Sequence, residues 1–211
     1  MKFSEGGQYE NPPCGSHIAR CYSLVDLGTQ QHTFGQETWA QRDVRISWEL
    51  PGELMAGLYN PDVKGKPFAV HLTLKQSLHP KSRLRKILVG WRGRDFTKEE
   101  AASFDPKKLI GLACRVSLVQ SQNGDFINVD SVAPLGKAEK CPKKVNAAVF
   151  FSLEPAEFDI KSFGQLGEKT QERIKKSPEW QALAAGEQQP DPEPEPDDGG
   201  QPDGADSSIP F

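Results

Sequence analysis

The chain has 211 residues, 36% of them hydrophobic and 26% charged, which is enough for one domain with a real core but leaves no apolar run of membrane-spanning length. Its 26 basic and 29 acidic residues nearly cancel, but they are unevenly distributed. Glu187, Asp191, Glu193, Glu195, Asp197, Asp198, Asp203 and Asp206 put eight acids and no Lys or Arg into residues 187–211, so residues 1–186 hold 26 bases against 21 acids, a formal charge of +5. A basic body joined to an acidic tail suits a body that binds a polyanion and a tail that competes with it or recruits something else.

Met1 to Pro13 is polar, with Gly and Pro, and reads as a flexible N-terminus without the apolar h-region of a signal peptide, so a soluble intracellular protein is expected. Residues 17–25, His17-Ile18-Ala19-Arg20-Cys21-Tyr22-Ser23-Leu24-Val25, read as a first strand ended by Asp26-Leu27-Gly28. Val44, Ile46, Trp48 and Leu50 alternate with Arg45, Ser47 and Glu49 as a half-buried second strand, stopped by Pro51-Gly52. Phe34 and Trp39 then fall in the connecting loop. Phe68, Val70, Leu72 and Leu74 form a third strand, with Ala69, His71, Thr73 and Lys75 opposite.

The period then lengthens. Leu84, Ile87, Leu88 and Trp91 fall at helical spacing, and Thr97 with Glu100 forms a capping box for a short second helix ending near Phe104. Leu112, Cys114, Val116 and Leu118 mark a fourth strand, and Asn123-Gly124 is a strong hairpin signal joining it to a fifth over Phe126 to Val132. Three strands, a helical insertion and a two-stranded hairpin give a mainly β protein in the element order of an OB-fold, a five-stranded Greek-key barrel with its helix between strands three and four. This domain is expected over residues 14–136. Residues 137–185 read as a basic linker and C-terminal helical extension, the helix running from about Thr170 to Ala185 and broken at Pro178. Residues 186–211 are too polar to bury a core and are expected to be a disordered acidic tail.

Cys14, Cys21, Cys114 and Cys141 form no CxxC pair, the histidines are scattered and no acids sit at ligand spacing, so no metal or other cofactor is expected. Nucleotide-binding and hydrolase motifs are missing as well, and no catalytic role is expected, although a nuclease with dispersed carboxylates leaves no such motif.

The densest cationic segment is Lys81, Arg83, Arg85, Lys86, Arg92 and Arg94, with Trp91 among them. Cations that neutralise phosphates, beside rings that stack on bases, are the ingredients of single-strand binding; the competing reading is a solvated helix face. Arg20, Tyr22, Arg45 and Lys75 alternate against the apolar strand positions and so face away from the core, where Trp39 and Phe126 would add stacking platforms. At the other end, Ile209, Pro210 and Phe211 present two apolar side chains with a terminal carboxylate, behind Asp203 and Asp206, which suits capture by a small apolar pocket with a basic lip.

An acidic tail closing on Ile209-Pro210-Phe211 resembles that of bacterial single-stranded DNA-binding proteins. The body is more similar to phage-encoded single-stranded DNA-binding proteins, through His17 to Tyr22, Asp26 to Gln30, Leu78-His79 to Arg94, Leu109-Ile110-Gly111 and Asn128 to Val132. The resemblance implies an OB-fold, sequence-nonspecific coating of single-stranded DNA in phage DNA replication or recombination, and replication or recombination proteins as tail partners in the cytoplasm of an infected bacterial cell. A homo-oligomer and a strand-annealing or recombination-mediator role stay open on the same residues.

Overall fold

The computed structural model describes residues 9–124 and 126–186. The tail positions Asp203, Asp206, Ile209, Pro210 and Phe211 lie outside them. The described chain is mainly β: β1 (Gly15–Phe34), β2 (Glu37–Leu54), β3 (Pro67–Lys75), α1 (Arg83–Arg92), α2 (Lys98–Ala102), β4 (Ala113–Gln120), β5 (Ile127–Ala133), β6 (Val149–Phe151), α3 (Ile160–Gly164), α4 (Glu168–Lys175) and α5 (Pro178–Gly186). The six strands form one sheet in the order β3-β2-β1-β4-β5, antiparallel throughout, with β6 added parallel to β1. β1 shares one edge between two partners: residues 15–20 pair with β4 and residues 23–25 with β6. β3 and β5, the ends of the strand path, approach one another, so the sheet curls around its apolar face.

That face is the alternation read from the sequence. Cys21, Ile46, Trp48, Leu50, Val70, Leu74, Cys114, Val116, Leu118, Val129 and Val132 all point into one core. Helix α1 closes it with Leu84, Ile87, Leu88 and Trp91, begins at a Ser82 cap and ends at Gly93 in the left-handed conformation. Gly90 is required in mid-helix, because a Cβ there would lie 2.5 Å from the Val132 carbonyl oxygen. The Thr97–Glu100 capping box forms as expected. Burial in this core pushes the Cys21 thiol up to about 12 and raises Cys114 as well; Cys14 is exposed, and all four cysteines are free thiols.

Three expectations need correction. The first strand does not end at Asp26-Leu27-Gly28: register shifts between Cys21 and Ser23, and between Asp26 and Gly28, absorb the break, and the strand runs on to Phe34. Pro51-Gly52 does not stop the second strand, which reaches Leu54 across a shift in its pairing with β3. Phe34 and Trp39 are therefore strand residues of a two-stranded ribbon, paired with Glu37 and His32, and the connecting turn is only Gly35-Gln36.

Residues 137–186 do more than link. They supply β6 and α3–α5, which build a second apolar cluster of Phe151, Leu153, Phe163 and Ile174 on Val25 and Leu27 of β1, edged by Phe158, Leu166, Trp180 and Leu183. Four close ring pairs tie these elements together, the tightest being Phe163 with Trp180 at 4.1 Å between centroids. Gly28 is the seam of this packing: at φ +68°, a Cβ would fall 2.4 Å from the Cβ of Ser177, which is itself fully buried at the α4–α5 junction.

Gly28→Ala therefore combines left-handed strain with overpacking and should lower unfolding stability in urea by roughly 2–5 kcal/mol. Gly35→Ala has positive φ but open space around it and should cost only the strain, about 1–2 kcal/mol. Equal losses at the two sites would refute Gly28's packing role.

Candidate nucleic-acid interface

The alternation of β1 and β2 sets one outer face. Gln30, His32 and Phe34 of β1 share it with Trp39, Gln41, Asp43 and Arg45 of β2 and, across β3, with Lys75 opposite Asp43 and His71 opposite Ser47. The C-terminal segment covers part of this face, bonding Gln30, Asp43 and Arg45. Glu49 is fully buried, with no cation paired to it among the described residues. It accepts hydrogen bonds from the backbone N–H of Val145 (3.0 Å) and of Asn146 (2.7 Å) and from the Asn146 side-chain amide (2.8 Å). Arg20 donates to the carbonyl oxygens of Gly111, Cys141 and Pro142. Arg45 donates to Thr170 Oγ1 at 2.9 Å, and burial together with the nearby Arg173 charge lowers its pKa. Arg173 reaches past it to Asp43 at 2.7 Å, a carboxylate also held by His32 at 3.0 Å and Gln41 at 2.8 Å. Tyr22 sits low on the same face with its pKa raised by burial, against a hydrogen bond with Ser47 that lowers it. His71 is held below the usual imidazole value, first by desolvation and then by Arg45.

The helical cations divide into two groups. Arg85 bonds Asp95 (2.9 Å) and the carbonyls of Leu78 and Phe96; Arg92 and Arg94 converge on Glu100 at 3.1 and 2.6 Å, and the Arg92 guanidinium lies 4.0 Å from the centre of the Phe96 ring. Those contacts, led by the hydrogen bond from Arg94 and then the Thr97 amide, hold Glu100 at about 2. Trp91, expected among them as a stacking ring, is 6% exposed, donates its indole N–H to the Ala113 carbonyl oxygen and packs 5.8 Å from Trp48. It has no open face for a base here. The signal was already in its spacing, since Trp91 continues the row Leu84, Ile87 and Leu88 that makes the apolar face of α1.

Lys81 and Lys86 belong to the other group, their ammonium groups making no hydrogen bond or ion pair among the described residues, and the Arg83 side chain donates there only to the Val129 carbonyl oxygen at 3.1 Å. Lys75 is likewise exposed and unpaired among the described residues.

Beyond the C-terminal cover the outer face is open. At the ribbon end Phe34 is 81% exposed and Trp39 43%, with the Trp39 ring stacked on His32 at 5.7 Å and 16° between planes. Phe126 is 65% exposed in the β4–β5 turn. Because Gly15 pairs with Leu118, that turn lies beside the start of β1, at the opposite end from Phe34. The site residues read from the sequence thus separate: Arg20 and Arg45 bonded to the C-terminal segment; Tyr22 half-buried beside Ser47; Arg85, Trp91, Arg92 and Arg94 spent on the fold; Trp39, Lys75, Arg83, Lys86 and Phe126 at the surface. Phe34, which the sequence reading set beside Trp39 in a loop, is the most exposed ring of the ribbon.

Among the described residues no three His, Cys, Asp or Glu side chains converge as a metal-holding group, and no helix is long and apolar enough to cross a membrane. No protein-family model, curated protein or solved structure matches the chain.

Glu49 anchors residues 145–146 to the sheet. Glu49→Ala should accelerate hydrogen exchange at the Val145 and Asn146 amides and cost roughly 1–3 kcal/mol of stability, the penalty of donors left without an acceptor. Unchanged exchange at both amides would show that the carboxylate does not hold this segment.

Proposed function

We propose that the protein binds single-stranded DNA without sequence preference, as a coating protein of the phage-encoded type rather than an enzyme, and that its barrel is an OB-fold. The helices between the third and fourth strands, the strand order β3-β2-β1-β4-β5 and the approach of β3 to β5 support the fold reading. One observation carries the functional reading: two exposed rings, Phe34 and Trp39, share one face of a ribbon that extends past the β3 pairing, with Trp39 backed by an imidazole and Lys75 on the same face at its base. A ring supported from behind has little freedom left to lose when a base stacks on its front, and every base offers a face, so such contacts are strong but indifferent to sequence. In this reading the acidic tail with Asp203, Asp206, Ile209, Pro210 and Phe211 recruits replication or recombination proteins in the cytoplasm of an infected cell.

The test uses the tryptophans. Trp48 and Trp91 are buried and Trp180 belongs to the second core, so Trp39 is the ring an oligonucleotide reaches. Oligo-dT should quench the fluorescence at low salt, the affinity should fall with a log–log slope of about 0.7 per phosphate neutralised, and Trp39→Phe should remove most of the signal. Phe34→Ala should weaken binding by roughly 1–3 kcal/mol, the worth of one stacked base. No oligo-dT binding in dilute buffer would overturn the proposal.

A further inference from the structure

Where α1 crosses β5 the surface holds a groove of about 430 Å³, lined by Lys81, Arg83, Lys86 and Gly90 on one side and Asp130 and Ser131 on the other, with Ile87 and Val132 at its base. Its existence follows from the packing. Gly90 lets the helix backbone press against the Val132 carbonyl oxygen, so no side chain fills the angle between the two elements. Arg83 and Lys86 stand one helical turn apart on the flank, about 5–6 Å between their Cβ atoms. Arg83 is fixed in place by its bond to the Val129 carbonyl oxygen.

The charge pattern is selective. On the same helix and the turn after it, Arg85, Arg92 and Arg94 each have a carboxylate partner, Asp95 or Glu100. Among the described residues the cations facing the groove have no ion-pair partner: Lys81, Arg83 and Lys86 stand against one carboxylate, Asp130. An exposed ring adjoins this charge on the strand that floors the groove, since Phe126 precedes β5 and lies four residues before Asp130, about 13 Å along an extended chain.

We infer that this groove seats the phosphate backbone of a single DNA strand whose neighbouring base stacks on Phe126, a second contact surface apart from the Phe34–Trp39 ribbon. The inference rests on the single-strand reading above and adds where the backbone runs. The groove has charge and a hydroxyl but no exposed apolar socket, which favours a uniformly charged backbone over an acidic peptide, whose specificity would need pockets for its side chains.

The experiment is anisotropy of labelled oligo-dT and oligo-dA over a salt series, with the full chain and its K81A/K86A variant; Arg83 is left intact because it braces β5. Both lysines are exposed and lack partners among the described residues, so the variant should fold, checked by its melting temperature. The expected result is a fall of about 1.4 in the magnitude of the log–log salt slope, the same for both sequences, with Trp39 quenching at saturation unchanged. F126A should weaken both variants of the groove by the same factor. A wild-type protein that binds DNA with a slope K81A/K86A leaves unaltered overturns the groove while sparing the ribbon, and a wild-type protein that binds neither oligonucleotide overturns both. Displacement of DNA from the groove by polyglutamate at equal charge concentration, abolished in K81A/K86A, would assign the groove to an acidic peptide instead.

Discussion

Covering a charged sheet face costs the hydration of its groups, and the contacts that offset this cost organise the molecule. Glu49, Asp43, Arg45 and Arg20 lie on the outer side of β1 and β2, where a solvated sheet face would leave them in water. Residues 141–173 cover them and supply what water would: two backbone amides for Glu49, carbonyl oxygens for Arg20, a hydroxyl for Arg45 and a guanidinium for Asp43. Contacts of this kind are directional, so they fix how the segment lies on the sheet. The apolar cluster of Phe151, Leu153, Phe163 and Ile174 supplies the driving force for the same contact without specifying its register.

The consequence for function is a division of surface. The strip where the strands carry Arg20 and Arg45 is committed to the chain's own C-terminal segment, and the exposed rings of the ribbon and the unpaired cations of α1 lie to either side of it. Those sites are the ribbon end and the α1–β5 groove. In the single-strand reading the ligand passes along the edges of the barrel and skirts the covered face.

Much of the fold was legible in the sequence wherever one force acted locally. Val44, Ile46, Trp48 and Leu50 alternate because one side of β2 meets the core; Leu84, Ile87, Leu88 and Trp91 recur because one side of α1 does; Thr97 and Glu100 cap a helix by contacts within four residues. The legible parts end where partners are distant. The ribbon over residues 29–42 has no apolar alternation and stays extended because its two strands pair with each other, and the bulges at Cys21–Ser23 and Asp26–Gly28 reset the pattern that would have announced it. Nothing near Val149 says that it will pair with Ser23. The candidate site suffered from the same limit. The basic cluster around α1 could be counted, but which members were free depended on Asp95 and Glu100 folding back onto Arg85, Arg92 and Arg94. Those acids follow the cluster directly, and their nearness was the available hint.

The two thiols sunk in the core beneath the sheet have a practical corollary. A thiol whose proton is held this firmly offers almost no nucleophilic anion near neutral pH, so peroxide or a maleimide will pass over Cys21 and Cys114 and react first at Cys14, on the surface at the start of β1. A dye or spin label can therefore be attached beside the sheet without mutating the core.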